Sequence, residues 1–206
     1  MLEKIFRDFM MIWVTVDPIG SLALFAGLTA SMTRPERNRV ARRASIYAAI
    51  ILIGAVVIGQ IILDAMGIHL LSLKLAGGLI LFVFSLQMLF GNMESAPAQG
   101  DPARDIAIFP LAVPSIAGPG TIMAVIVLTD NDVYTIPQQA ETAAVLLVVL
   151  AMTYGLFRAS GPILKVIGRQ GASVLVRVMG IILAALSVEL VMKALGIAPW
   201  ATLPKP

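Results

Sequence analysis

Two short proline and glycine motifs are the places where this chain could do chemistry inside apolar segments. They are Asp17–Gly20 (DPIG) and Gly118–Thr121 (GPGT). Pro removes a backbone donor and Gly tolerates the dihedral angles needed to restart a helix, so each motif predicts a break. A helix that restarts there presents free N–H groups and the positive end of its dipole, where carboxylates and other anions bind. The alternative is that both motifs only kink helices for packing.

Asp17 is the most informative single residue, because a carboxylate in the middle of a lipid-spanning segment costs ~2.5–3.5 kcal/mol and is rarely retained without a role. It could carry a proton, pair with an ammonium group, or cap the half-helix that begins at Pro18. Glu189 is the other carboxylate expected deep in an apolar segment. Asp17 and Glu189 are therefore the candidates for proton coupling.

A second polar group comes from two matching segments. Ser85 and Gln87 in one correspond to Ser187 and Glu189 in the other. We expect all four side chains to approach the cavity at the breaks, and the alternative is that they form hydrogen bonds between helices. The predicted substrate-binding set is Asp17, Pro18, Gly20, Ser21, Ser85, Gln87, Gly118, Pro119, Gly120, Thr121, Ser187 and Glu189.

The residue types exclude several other kinds of site. The chain has no Cys, which rules out disulfides and thiolate metal sites, and its one His disfavours a multi-His metal site. We predict no cofactor, no metal and no catalytic residues. The fifteen Lys and Arg are scattered among apolar runs, so nucleic acid is not expected as a partner.

The composition indicates a membrane protein. Of 206 residues, 59% are hydrophobic and 13% are charged, about half the charge of an ordinary soluble domain. Stretches of about 20 apolar residues are long enough to cross the ~30 Å hydrocarbon core. The six predicted spans are Phe9–Thr33, Ala44–Leu63, Leu75–Met93, Ile106–Thr129, Thr142–Lys165 and Val178–Ala198.

The distribution of positive charge predicts the orientation. The first, third and fifth loops hold ten of the fifteen Lys and Arg, five of them between Arg34 and Arg43. Short cytoplasmic loops retain an excess of these residues, so both termini are expected outside.

The two halves of the chain resemble each other. Gly78–Leu81 aligns with Gly180–Leu183 at an offset of 102, and Pro18 aligns with Pro119 at an offset of 101. Three spans per half is an odd number, so the second half must enter the membrane upside down. The expected fold is all-α: one transmembrane domain over 1–206, with repeat one at about 1–91, a linker at about 92–105 and repeat two at about 106–198.

These motifs, with Ala76–Phe82 (AGGLILF) and Asp105–Pro114 (DIAIFPLAVP), resemble the MarC family of bacterial and archaeal inner-membrane proteins over essentially the whole chain. The resemblance implies six spans in two inverted repeats, as in LysE-like transporters, and transport of small neutral amino acids with protons. The chain departs from the family at Ser21, where Asn is frequent, and at Gln87, where an acidic residue is frequent.

The leading hypothesis is a secondary transporter in the inner membrane for a small zwitterion such as glycine or alanine. Its carboxylate would meet the half-helix N-termini after Pro18 and Pro119, and its ammonium would meet Asp17 or unwound carbonyls. An exporter or channel for other small or hydrophobic solutes is the alternative. An intramembrane enzyme is disfavoured, since the chain shows no hydrolase motif. Homo-oligomers are left open.

Overall fold

The computed structural model describes residues 2–90 and 106–197, and of residues 164–170, 172, 173 and 175 it describes the backbone only. Every regular element in these residues is a helix. The predicted linker at about 92–105 lies outside the described part of the chain. The elements are α1 (Leu2–Val16), α2 (Pro18–Leu28), α3 (Arg34–Ala65), α4 (Leu70–Phe90), α5 (Ala107–Ile116), α6 (Pro119–Leu128), α7 (Ile136–Arg158) and α8 (Ser160–Ala194).

The predicted break in the first span is present. Asp17 separates α1 from α2 and has a left-handed backbone conformation, with φ 46° and ψ 68°. Asp tolerates this region better than most residues because its short side chain can bond locally to the backbone. Pro18, at the first position of α2, has a φ that suits a helix start and no N–H to leave unpaired.

The predicted break in the fourth span is also present and is larger. α5 and α6 meet at an angle of 52°. α5 is an irregular π-type helix in which Phe109 and Val113 have extended backbones. Each of these two precedes a proline, and the ring of a following proline disfavours the helical region for the residue before it. This half of the span is therefore unwound more than α1.

Four stretches of helix are long and apolar enough to cross a membrane: Leu2–Leu28, Arg34–Ala65, Leu70–Phe90 and Ile136–Arg158. The bent pair of α5 and α6 makes a fifth if it is counted as one span. The sequence predicts six crossings. The length and composition of the described helices support four or five of them.

Capping boxes begin α3 and α7. The Glu36 carboxylate accepts from the backbone N–H and the hydroxyl of Thr33, at 2.8 and 2.7 Å. Thr33, Pro35 and Glu36 are the sequence signature of such a helix start. Thr135 and Gln138 repeat the arrangement 102 residues later, at 3.0 and 3.1 Å. The two boxes share one sequence pattern, T-x-P-E from Thr33 and T-x-P-Q from Thr135.

α4 and α8 form the most extensive helix pair, and they pack antiparallel through glycines. A methyl group added to Gly78 would lie 3.3 Å from the carbonyl oxygen of Ser187, and one added to Gly180 would lie 3.2 Å from that of Ser85. A side chain at either position would require the neighbouring helix to shift, and small residues usually have this role between membrane helices.

Side-chain contacts show which helix ends lie together. Lys4 in α1 donates to the Thr142 hydroxyl of α7 at 2.6 Å. Gln60, near the end of α3, accepts from the backbone N–H of Asn131, which follows α6, and Asn131 also accepts from Gln139 of α7. The starts of α1 and α7 therefore share one end of the bundle with the ends of α3 and α6. We call this end the lysine face.

The opposite end carries the Arg34–Arg43 cluster at the start of α3, and we call it the arginine face. Near it, the rings of Phe25 in α2 and Phe157 in α7 stack with centroids 4.5 Å apart. α2 therefore ends towards the arginine face, whereas α6 ends at the lysine face. Both half-helices start at breaks in the interior of the bundle, where buried apolar side chains of α1, α3, α5, α6 and α7 surround them.

Candidate functional site

A cavity of about 170 Å³ lies between α4 and the break in the fourth span. One wall belongs to α4 and is apolar except for Gln87. The other wall is polar and is built from the end of α1 and the segment that joins α5 to α6. The lining residues are Thr15, Ile80, Leu81, Val83, Phe84, Gln87, Pro114, Ser115, Gly118, Pro119, Gly120 and Thr121.

The start of α6 supplies backbone donors to this cavity. Gly118 is the N-cap and Pro119 occupies the first helical position, where its missing N–H leaves no donor unpaired. The first-turn N–H groups of Gly120 and Thr121 have no acceptor within their own helix, because an α-helix begins its ladder only at the fourth donor. Both residues line the cavity. With the dipole of α6 they make this wall suitable for a carboxylate.

Two hydroxyl contacts tie the breaks of the first and fourth spans together. The hydroxyl oxygens of Ser21, in α2, and Ser115, in α5, are 2.8 Å apart. The Thr121 hydroxyl, in α6, donates to the carbonyl oxygen of Thr15, in α1, at 2.8 Å. All four residues are buried. Each second half-helix is thus joined through its first turn to the first half-helix of the other broken span.

Close approach explains two glycines of the second motif. A methyl group on Gly118 would lie 2.5 Å from the Pro114 carbonyl oxygen, so the backbone itself leaves no room. A methyl group on Gly120 would lie 2.7 Å from the Leu81 side chain of α4. The absence of side chains here brings the α6 backbone next to the cavity, as a site that binds through backbone N–H groups requires.

Asp17 lies in the first break and not in the cavity lining. Its carboxylate accepts from the backbone N–H of Gly20 at 3.0 Å and caps α2. The side chain is buried, and a methyl group added to Gly20 would collide both with the Asp17 carboxylate and with the Met88 side chain of α4. The structure thus displays the capping role among the three roles considered for Asp17.

Of the twelve predicted binding residues, five line the cavity: Gln87, Gly118, Pro119, Gly120 and Thr121. Ser21 reaches the lining residue Ser115 through its hydroxyl. Asp17, Pro18 and Gly20 form the neighbouring break.

The two predicted serines and Glu189 make local contacts. Ser85 donates to the Phe82 carbonyl at 2.6 Å and Ser187 to the Ala184 carbonyl at 2.7 Å, each within its own helix. Glu189 pairs with Lys193 at 3.0 Å. Ser85 is buried whereas Gln87 is exposed at the cavity, because positions i and i+2 of a helix do not share a face.

Sequence reasoning missed Thr15 and Ser115. Both are hydroxyl residues inside otherwise apolar segments, and each lies two or three residues before a break. That combination is a signal that could have found them. The apolar wall of α4 had no comparable signal, since its leucines and valines look like any lipid-facing side chains.

A separate polar cluster lies at the lysine face. Asp8 is 1% exposed, pairs with Lys4 at 2.5 Å and accepts from the Thr142 hydroxyl at 2.7 Å. Arg7 approaches the same carboxylate at 3.5 Å. The cluster fastens α1 to α7. No group of three or more His, Asp or Glu that could hold a metal occurs in the part of the chain that the structure describes.

Comparison with known proteins gives one consistent result. The family model described as MarC family integral membrane protein matches residues 2–198. A "UPF0056 membrane protein" of Archaeoglobus fulgidus is 37% identical over 206 residues, covering 95% of this chain and 93% of that protein. The "UPF0056 inner membrane protein MarC" of Escherichia coli K12 is 31% identical over 198 residues, covering 87% of this chain and 88% of that protein. No solved structure matches the chain.

Proposed function

The chain belongs to the MarC family of integral membrane proteins, and we propose that it is a secondary transporter that moves small neutral amino acids across the cytoplasmic membrane, coupled to protons. The observation that carries the proposal is the cavity of about 170 Å³ at the start of α6. It combines a broken helix, first-turn N–H groups, hydroxyls and an apolar wall in one half-open pocket beside α4. Broken helices that meet at mid-membrane are the usual binding element of secondary transporters.

The cavity suits a small zwitterion. Its carboxylate would lie at the N–H groups of Gly120 and Thr121, with the hydroxyl of Ser115 beside it. Its ammonium would meet the Gln87 side-chain oxygen or the unwound carbonyls of α5. A small side chain would face Leu81. The volume equals about six molecules of liquid water at ~30 Å³ each, which is below the range of about 300–1,000 Å³ typical of drug-sized ligands.

The proton would be carried by Asp17. Its carboxylate is buried at the break of the first span and holds the start of α2 through one oxygen. Protonation would weaken this cap and so change the stability of the break. Glu189 is the second candidate, but its pairing with Lys193 in a half-exposed position makes it a weaker one.

Two inverted repeats would let one site open to either side of the membrane in equivalent ways. The packing of the helices supports this part of the proposal. α1 packs on α7 as α5 packs on α3, and α2 packs on α8 as α6 packs on α4. Exchanging the two repeats would swap α4 with α8 and leave the contacts between them equivalent, since Gly78 faces Ser187 and Gly180 faces Ser85. α2 and α6 also run towards opposite faces. In this arrangement the chain has six crossings, with the arginine face in the cytoplasm and both termini outside.

Counterflow into liposomes tests the proposal. Purified protein is reconstituted with internal unlabelled alanine, and uptake of labelled alanine or glycine is followed. We expect saturable exchange, competition by small amino acids and weak competition by leucine or tryptophan. The Thr121→Val variant should lose most of the exchange, because it loses a cavity hydroxyl that also holds Thr15.

Thr129→Val is the matched control. Thr129, the residue that caps the C-terminus of α6, is also buried, but its hydroxyl donates to the carbonyls of Val125 and Ile126 in α6 itself. It should exchange like the natural protein. Linear, unsaturable uptake would indicate a channel, and no uptake of either amino acid would overturn the substrate class.

A further inference from the structure

The start of α8 has backbone donors that are not used within the helices. α8 begins at Ser160, directly after Ala159. The backbone bonds at this junction run from the Ala159 N–H to the Gly155 oxygen at 2.9 Å and from the Ile163 N–H to the Ala159 oxygen at 3.1 Å. In the part of the chain that the structure describes, the N–H groups of Ser160 and Gly161 have no backbone acceptor, and no side chain caps the helix. These donors and the positive end of the helix dipole attract anions.

A hydroxyl in the same turn also lacks a partner. Ser160 is 1% exposed, and none of the described residues forms a hydrogen bond with its hydroxyl oxygen. The Cα–Cβ bond of a helical residue tilts towards the N-terminus of its helix, so this hydroxyl points to the same end as the two N–H groups. Buried hydroxyls without a partner are rare in native proteins, and a bound ion is one explanation for them.

The Arg37 guanidinium of α3 reaches this turn. Its Nη1 lies 3.5 Å from the position that a Cβ on Gly161 would occupy. Its Nε is buried and has no hydrogen-bond partner within residues 2–90 and 106–197. The helical spacing accounts for the burial, because Val40, Ala41 and Ala44 lie three, four and seven residues further on and are fully buried. Arg37 therefore continues the buried stripe of α3 to the start of α8.

A role in membrane orientation does not account for this placement. Loop arginines set the orientation by their charge, which needs neither burial nor a particular geometry of donors. Arg34, Arg39 and Arg42 of the same cluster are exposed, as that role allows. Arg37 is half-buried, and the carboxylate of the neighbouring Glu36 is engaged in the capping box of α3. A buried guanidinium donor is thus left over beside an uncapped helix start.

We propose that Arg37 and the first turn of α8 form a binding site for a phosphate group at the arginine face. The guanidinium binds two phosphate oxygens, and the Ser160 hydroxyl with the N–H groups of Ser160 and Gly161 binds the others. Arginine recognises phosphate in this bidentate way, and helix N-termini are common phosphate sites. The site lies where α7 ends and α8 begins, so lipid headgroups and soluble phosphate both reach it. None of its residues lines the cavity at α6.

Thermal unfolding of the full-length protein in detergent tests this site, because a ligand that binds the folded state raises its stability. The protein is first stripped of lipid. Inorganic phosphate is compared with sodium chloride at equal ionic strength, and phosphatidylglycerol with diacylglycerol of the same acyl chains. We expect a saturable rise in melting temperature beyond the matching control. A rise with inorganic phosphate supports a soluble ligand, and a rise with phosphatidylglycerol alone supports a lipid headgroup.

Two variants locate the effect. Arg37→Lys keeps the charge but loses Nε and the planar fork, so the concentration for half-maximal stabilisation should rise about tenfold. Arg39→Lys changes an exposed arginine of the same helix and should respond like the natural protein. Ser160→Ala should weaken the response by a similar factor. Without phosphate it should melt no lower than the natural protein, because the hydroxyl it removes is buried without a partner.

No saturable effect of either phosphate source beyond its control would overturn the inference. Equal weakening in Arg37→Lys and Arg39→Lys would do so as well, because it would indicate diffuse attraction to the arginine cluster. So would a Ser160→Ala protein that melts lower without phosphate and responds to phosphate like the natural protein, since its hydroxyl would then be structural. These measurements use no amino acid, so their outcome leaves the transport proposal untouched, and failed counterflow leaves the phosphate site untouched.

Discussion

The hydroxyl oxygens of Ser21 and Ser115 lie 2.8 Å apart, in residues that are 94 positions apart in the chain. Ser21 belongs to the first turn of α2 and Ser115 to the end of α5, so this bond joins the two broken spans at their breaks. Thr121 and Thr15 make the reciprocal connection. The breaks are therefore held against each other as one unit, beside the cavity.

Removing either partner of the Ser21–Ser115 bond should destabilise the protein. Ser21→Ala and Ser115→Ala should each lower the free energy of unfolding by about 1–3 kcal/mol, because the remaining buried hydroxyl loses its 2.8 Å partner; in Ser115→Ala, Ser21 keeps the longer bond to the Val16 carbonyl at 3.3 Å. The double variant should cost less than the sum of the two. Thermal unfolding in detergent measures this, with exposed Ser72→Ala as a control expected within about 0.5 kcal/mol of the natural protein. Strict additivity would contradict the bond.

Gly118 should not tolerate even one methyl group. Gly118→Ala places its Cβ 2.5 Å from the Pro114 carbonyl oxygen, so the backbone must move, with an expected loss of about 1–3 kcal/mol. Gly155→Ala is the control, since its Cβ meets nothing within 4 Å and lies in a helix interior. It should be neutral or stabilising by about 0.5–1 kcal/mol. Equal melting temperatures for the two variants would contradict the close approach.

Two substitutions of Asp17 should separate the capping role of its side chain from the role of its charge. Asp17→Asn keeps an acceptor for the Gly20 N–H and tolerates the left-handed conformation, so we expect little loss of stability. Asp17→Ala loses both and should cost about 1–3 kcal/mol from the cap and the left-handed backbone together. If Asp17 carries the proton, Asp17→Asn exchanges alanine but no longer responds to a pH gradient.

Two observations would count against this assignment. A pH response that survives in Asp17→Asn would exclude Asp17 as the carrier. Loss of all exchange in a well-folded Asp17→Asn protein would make the carboxylate itself part of substrate binding.

The buried ion pair at the lysine face should matter far more than the half-exposed one on α8. Asp8→Ala leaves Lys4, which is 11% exposed, without its carboxylate and should destabilise by about 3–5 kcal/mol. Lys193→Ala breaks an i,i+4 pair whose side chains are 63% and 36% exposed, and should cost about 0.3–0.5 kcal/mol. Thermal unfolding of the two variants under one set of conditions compares them directly, and similar losses would contradict the burial of the Asp8 cluster.

The sequence by itself determined the features that depend on local geometry. Asp17–Gly20 and Gly118–Thr121 break their helices because Pro and Gly act on the backbone at their own positions. Thr33 and Glu36 begin α3 for an equally local reason. The apolar runs that form the membrane helices are likewise a property of consecutive residues.

Only the tertiary structure decided which of these residues share a cavity. Thr15 and Ser115 line it because helices distant in sequence bring their ends to one place. Ser85 and Ser187 were grouped with Gln87 and Glu189 by spacing, but two positions along a helix turn the side chain by about 200°, so the serines bond to their own helices. The burial of Asp17 and the exposure of Pro119 also follow from packing across helices, which the local motifs do not specify.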